Sequence, residues 1–314
     1  MSPVSSPPGD PVVLRRDVLA SGGSDKELYA SVRRGDLVRI RQGAYCPAPI
    51  WESASAEEQH LLRVRAVLRQ YAPDVAVSHL SAAVAIGAPL LQALPTQVHL
   101  THLDATGDRH QAAVTHHRGA CTVEDLGCWE DHWITSPTRT TLDCARLLDR
   151  DAAVCLLDWM LQQGHTTKTL LRYRLSHMRT WPKTLAIRRY IDVADPASES
   201  VGETLARLLF LDHGLPLPRT QLEVYDQTGR LIGRLDFAWP ELATVVEFDG
   251  REKYTRYLRE GESATDAVLR EKAREDAIRE VTGWTVVRIT WADVVHRPAQ
   301  TVDRIRRAMA SRAA

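Results

Sequence analysis

The chain has 314 residues, 44% of them hydrophobic and 25% charged, and its 40 Lys and Arg are balanced by 40 Asp and Glu. That length predicts two or three domains, and that composition excludes a collagen-like or disordered chain in favour of an ordinary globular one. Zero net charge excludes attraction of nucleic acid by bulk charge, so a DNA-binding surface would have to come from local clusters of Lys and Arg.

Residues 1–10 are rich in Pro and Ser and are expected to form a disordered tail. In residues 11–50, Ser24 is suited to cap a helix reaching Arg33, with Leu28 and Val32 on one face. Gly35 ends it. Leu37, Val38 and Ile40 then read as a strand, Gly43 as a turn, and Ala44 to Cys46 as the returning strand. A helix followed by a tight two-stranded wing is the pattern of a winged helix-turn-helix, with a small α/β cap as the alternative.

The run from Asp25 to Tyr45, DKELYASVRRGDLVRIRQGAY, resembles the N-terminal domain of AbiEi-type antitoxins, transcriptional regulators of phage-defence toxin–antitoxin loci. The resemblance implies a helix carrying Lys26, Arg33 and Arg34 toward DNA and a wing whose Arg39 and Arg41 touch phosphate. It also implies a cognate toxin as partner. Cations of this kind suit backbone contacts, which position a protein without reading sequence.

Residues 51–165 form the middle domain. A helix is expected over 57–71, a strand at Val75 to Val77, a helix from Ser78 to Gly87, and strands at 97–100 and 112–116. Ser136-Pro137 opens another helix. The segments SHLSAAVAIG and TSPTRTTLDCARL resemble the wider AbiEi-like family, which implies a scaffold or interaction role. His116, His117, Cys121, Cys128 and His132 are of zinc-ligand type, but no CxxC pair is present and the spacing matches no standard finger. Buried thiols and half-exposed imidazoles are the simpler reading. The five cysteines are odd in number and irregularly spaced, which fits a reducing, cytoplasmic setting. No apolar run is long enough to predict a membrane span.

Residues 166–196 read as a basic connector helix. From Met160 to Ile191 there is no Asp or Glu, while Arg172 and Arg174 lie among several other cations. Such a stretch is a candidate track for the DNA backbone, or a solvated helix packed on acidic neighbours.

Residues 197–314 carry the densest chemistry. A helix with Glu203 is followed by a turn at Asp226 to Gly229, a strand with Asp236, and a strand that places Glu247 and Asp249 on one side. A helix from Asp266 to Val281, a strand to Ile289 and a closing helix complete the order α-β-β-β-α-β. Hydrolysis of a phosphodiester calls for a metal that neutralises phosphate and lowers the pKa of a bound water. Mg2+ takes hard oxygen ligands. Asp236, Glu247, the Phe248 carbonyl and Glu203 are the candidate ligands.

The segments SESVGETLARLLF, GRLDFAWPE, VVEFDGREKY and REKAREDAIREVTGW closely resemble a family related to very-short-patch-repair endonucleases, of the PD-(D/E)XK type. The resemblance covers about a third of the chain and implies a restriction-endonuclease-like fold acting on DNA. The chain departs from the pattern where a Lys should follow Glu247 by two positions, because Asp249 stands there. Lys272 is the first candidate for a relocated cation and Lys253 the second. If neither serves, the domain binds DNA without cutting it. The overall expectation is an α+β protein with a winged helix, a middle α/β domain and a nuclease-like C-terminal domain.

Overall fold

Local sequence punctuation fixes where the first elements begin and end. The computed structural model describes residues 10–71, 74–91, 94–103, 109–111 (backbone only), 113–250, 266, 274 and 276–311. The chain divides into two units, Met1–Val193 and Ala194–Ala314. Both mix helices with sheets that are antiparallel or mixed, so the fold is α+β. No described helix is long and apolar enough to cross a membrane.

In the first unit, Val13–Leu14 (β1) and Arg15–Ala20 (α1) precede the helix Asp25–Arg34 (α2). Ser24 and Glu27 form a reciprocal cap at its start, and Gly35, at φ 83°, closes its end in the left-handed region open to glycine. Leu37–Arg41 (β2) and Ala44–Pro47 (β3) pair antiparallel, and β1 joins β3 to give the order β1-β3-β2. The two-residue β1 has no periodic signature, and the sequence gives no warning of it. Val18, Leu28 and Tyr45 pack one side of this small sheet, while Leu14, Ile40 and Cys46 pack the other against Leu62 and Ala66 of Ala56–Leu68 (α4), which follows the short helix Ala48–Ser53 (α3).

The middle of the unit is a six-stranded sheet in the order β6-β7-β5-β4-β9-β8. Its strands are Val75–Val77 (β4), Val98–His102 (β5), Arg109–Gln111 (β6), Val114–His117 (β7), Leu126–Trp129 (β8) and His132–Thr135 (β9). His79–Ile86 (α5) and α4 cover it with an apolar core that includes Val67, Val77, Ala82, Leu100 and Val114. Pro137–Leu147 (α6) starts at the Ser136 cap, and Arg150–Gln162 (α7) is buried along most of its length.

The basic stretch that reads as one connector helix is instead two helices, Lys168–Ser176 (α8) and Thr184–Val193 (α9). α8 has already ended at Ser176, and Trp181-Pro182 lies in the connecting turn, where the residue before proline is driven out of the helical region and Lys183 follows at φ 65°.

The second unit opens with Val201–Asp212 (α10). It continues through Arg219–Tyr225 (β10), Leu231–Trp239 (β11), Thr244–Asp249 (β12), helical residues 276–282 and Thr285–Thr290 (β13), and ends with Trp291–His296 (α11) and Pro298–Ala310 (α12). The sheet order is β10-β11-β12-β13; the first three strands are antiparallel, and β13 runs parallel to β12. Phe210 of α10 meets Phe237 and Trp239 of β11 edge-on. Gly202 lets the start of α10 come down on Phe248: a Cβ there would lie 2.1 Å from the ring.

Gly202→Ala is therefore expected to destabilise the second unit by about 1–3 kcal/mol, because overpacking outweighs the roughly 0.5–1 kcal/mol gained in helix propensity. Urea unfolding of the two proteins measures the difference; equal midpoints would show that Phe248 can step aside freely.

Candidate functional site

The β11–β12 ladder runs Trp239↔Thr244, Ala238↔Val245, Phe237↔Val246 and ends there, with Asp236 and Glu247 following on the two strands. Asp236 is only 7% exposed although it sits in an otherwise apolar strand. Its Oδ2 accepts a hydrogen bond from the Phe248 N–H at 2.8 Å, which ties the carboxylate to β12. A carboxylate buried this deeply needs such a partner to offset its lost hydration. On the other side of β11, Thr220 pairs with Phe237 and Leu222 with Leu235, leaving Gln221 and Asp236 between two ladder pairs. Gln221 has φ 53°, a strained value for a non-glycine residue within a strand.

Gln221 is also the link to Glu203. Its Nε2 donates to Glu203 Oε2 at 2.9 Å. Glu203 is 4% exposed and otherwise engaged at its own helix start: it accepts from the Glu199 N–H at 2.9 Å and the Ser200 hydroxyl at 2.8 Å, while its own N–H donates to Ser200 Oγ at 3.2 Å. Glu203 thus acts first as a local cap and reaches the strand pair through Gln221. Among the described residues, no group of three or more His, Cys, Asp or Glu is arranged to hold a metal ion. The three-acid cluster expected from the sequence is therefore not formed. Asp236 and Glu247 are singly of the donor type that Mg2+ takes, since it binds through one or two carboxylates and completes its ligands with water and substrate phosphate.

A cation stands near Glu247. Arg274 Nη2 is 3.9 Å from Glu247 Oε2, and Arg274 Nη1 donates to the Arg234 carbonyl at 3.2 Å. The sequence places Arg274 on the helix expected to follow β12 but marks no role for it. Lys272 and Lys253 lie outside the described residues.

No protein-family model matches the chain. It is similar to the uncharacterized protein Rv2248 of Mycobacterium tuberculosis strain H37Rv, 29% identical over 286 residues that cover 90% of this chain and 96% of that protein. The uncharacterized protein MT2308 of strain CDC 1551 / Oshkosh matches to the same extent. The crystal structure of the Rv2827c protein of M. tuberculosis aligns over 68% of this chain and 83% of its own, at 15% identity and a TM-score of 0.40.

The first unit separates the expected DNA-contacting cations into three groups. Lys26, Arg33, Arg34 and Arg39 are exposed, although Arg34 is paired with Asp36 at 2.7 Å. Lys26 and Arg33 flank Tyr29, which is 62% exposed, at the i, i+3, i+7 spacing of one helix face. Tyr29 is a member of this face that the cation pattern alone does not reveal. Arg41 is turned inward: burial lowers its pKa, and the charge and hydroxyl of Tyr71 act in the opposite direction. A guanidinium so placed is poorly disposed for phosphate. Arg172 pairs on the surface with Asp192 at 2.8 Å, whereas Arg174 binds the buried carboxylate of Asp125.

That carboxylate belongs to a buried ion network. Arg139, 1% exposed, donates from Nε to Asp143 at 2.8 Å, and from Nη1 to the Ala120 carbonyl at 2.9 Å and to Asp125 at 3.2 Å. Its guanidinium lies 4.6 Å from the ring centre of Trp181. Burial lifts Asp143 to about 6 against the lowering influence of Arg139.

The zinc-type side chains are dispersed. His116 contacts His102 at 2.7 Å and the Tyr71 hydroxyl at 3.2 Å, His117 contacts His99 at 2.8 Å, and Cys128 is exposed. The five cysteines are all free thiols.

Proposed function

We propose that this is a cytoplasmic DNA-binding protein whose C-terminal unit is a PD-(D/E)XK endonuclease-like domain hydrolysing phosphodiester bonds with Mg2+. The single observation that carries this reading is the buried Asp236 carboxylate, tied to β12 by the Phe248 N–H next along the chain from Glu247. Asp236 and Glu247 would hold the ion, with the Phe248 carbonyl as a further oxygen donor. Bound there, Mg2+ would neutralise phosphate charge and lower the pKa of a water ligand. The chain's own contribution is to fix the first carboxylate through a backbone N–H, to hold Glu203 and Gln221 behind it, and to keep this edge of the sheet packed by α10. Full-length protein incubated with supercoiled plasmid should yield nicked circles with Mg2+ and none with a chelator. Intact plasmid in both arms, with Mn2+ also tried, would remove the catalytic reading.

A second reading is favoured by Asp249, which occupies the position of the usual lysine. In that case the C-terminal unit is inactive, and the chain is an antitoxin-type transcriptional regulator that pairs with a toxin. The exposed stripe Lys26, Tyr29, Arg33 on α2 supports the DNA-binding part of either reading. Arg33→Ala with Arg34→Ala should weaken binding to the DNA upstream of its own gene about tenfold or more, and should lower the salt slope by about two, since each arginine neutralises one phosphate. Unchanged affinity and slope in a fluorescence-anisotropy titration would place the DNA elsewhere.

A further inference from the structure

We propose that a cleft along α4 in the first unit binds a small organic monocarboxylate, with Arg63 as the group that holds the anion. The site draws on no residue of the second unit and stands whether or not the chain cuts DNA.

The cleft has a volume of about 280 Å3. Ala56, Gln59, His60 and Arg63 form one wall, and their i, i+3, i+4, i+7 spacing puts them on one face of α4. Leu94 and Pro95, from the segment that leads into β5, form the other. Apolar walls with a few placed polar groups are the common make-up of small-molecule sites, and this volume is at the small end of their range.

Arg63 is the member that calls for a ligand. It is half-buried, and burial lowers its pKa with no carboxylate acting the other way. Its guanidinium has no ion pair and no hydrogen bond with any described residue, whereas Arg65 and Arg69, further along, are paired with Glu130 and with Asp10 and Asp17. The acids of the first turn do not serve it: Glu58 accepts from the Ser55 N–H at 2.7 Å, and Glu57 is exposed. What fixes Arg63 is Trp51, whose ring centre lies 4.8 Å from the guanidinium carbon. Trp51 is packed in turn on the cluster of Leu14, Ile40, Leu62 and Ala66, so the stack is held from behind. A partly desolvated guanidinium costs stability until its N–H groups find acceptors. Stacking covers its face and leaves its edge, and that edge matches the two oxygens of a carboxylate.

The charge of the cleft selects the ligand. His60 is 1% exposed, its Nε2 meets Ser81 Oγ at 2.9 Å, and its Nδ1 has no hydrogen-bond partner among the described residues. Burial, helped by the charge of Arg63, lowers it to about 4 against the opposing pull of the Pro95 carbonyl, so the ring is neutral near neutral pH. Gln59 spends its amide nitrogen on the carbonyls of Trp51 and Ala54, at 3.0 and 3.4 Å. The cleft therefore presents one full positive charge, supplemented by the partial charge of the α4 N-terminus at Ala56. One charge balances a carboxylate. A phosphate dianion would be left half-neutralised among apolar walls.

The test uses the full chain and sodium benzoate, followed by ligand-observed NMR and calorimetry, with benzamide as the neutral control. Wild type should bind benzoate, and benzamide about tenfold more weakly or worse. Arg63→Met should weaken benzoate about 10–100-fold, the range for losing a hydrogen-bonded charge contact. Arg63→Lys keeps the charge without the fork and should recover only part of the loss. Ala56→Phe should obstruct the cleft and weaken binding while leaving Arg63 in place. Arg63 has no ion pair to lose, so Arg63→Met should unfold close to the wild-type temperature, which separates lost binding from lost structure. No binding of millimolar benzoate, equal binding of benzamide, or unchanged binding in Arg63→Met overturns the site. Tighter binding of inorganic phosphate than of benzoate, dependent on Arg63, overturns the monocarboxylate assignment.

Discussion

Asp236→Asn is expected to abolish Mg2+-dependent nicking, with a loss of about 100-fold or more, while leaving the fold intact. The asparagine is close to isosteric, and its amide oxygen can still accept from the Phe248 N–H that now meets Asp236 Oδ2 at 2.8 Å. What disappears is the negative charge, and with it a hard ligand for the ion. Removing one preorganised electrostatic contact in an enclosed site typically costs about 10²–10³-fold in rate. Alanine would confuse matters by leaving the Phe248 N–H without its acceptor. The assay compares initial nicking rates at saturating Mg2+ with unfolding midpoints measured alongside. Equal rates in the two proteins would exclude Asp236 from the chemistry, and a collapse in stability would assign it a structural role instead.

Arg139→Met is expected to be the most damaging single substitution for stability, at about 3–5 kcal/mol near neutral pH. Methionine fills much of the volume but leaves the buried Asp143 without the cation that contacts it at 2.8 Å and deprives Asp125 of one of its arginines. Breaking a buried ion pair from one side strands a charge, which is why the expected loss is large even where an intact pair adds little net stability. The sign with pH follows from Asp143. Burial already raises it to about 6 despite Arg139, and removing the guanidinium removes an influence that lowers it. Without that influence Asp143 is held higher still, so the variant's folded state takes up a proton before wild type does; the penalty shrinks as pH falls toward about 6 and levels off below it, where the wild-type carboxyl is protonated too. Urea unfolding read through amide exchange in α6 at about pH 7.5 and about pH 5, on either side of that value, checks both size and direction. Adding Asp143→Leu should restore part of the loss. A penalty that grows toward the acid end would contradict this account.

Much of the local structure is legible in the sequence because it is set by neighbours along the chain. Ser24 with Glu27, Gly35, Gly43 and Ser136-Pro137 mark ends and turns by backbone chemistry that needs no distant partner. The alternation around Asp236 and Glu247 likewise shows which residues share a strand. What escapes is long-range. Nothing in the sequence couples Arg174 to Asp125, so a residue read as a phosphate contact turns out to neutralise a buried acid. Arg41 looks equivalent to Arg39 but falls on the inward side of a wing whose register shifts between those two residues. Gln221 carries no mark of its φ of 53°, and its bridge to Glu203 depends on how α10 meets the sheet. The placing of Arg274 over Gly233 is out of the sequence's reach, because it depends on side chains from different elements.

Because β13 lies alongside β12 in the same direction, a tight hairpin cannot join them. The antiparallel β11–β12 pair is the more local contact in sequence. β13 arrives only after a long crossover has closed, and closing entropy delays such events. The sheet is complete only when that last strand docks, so a chain stopped short of Thr285 leaves the β12 edge unpaired and open to pairing with another chain.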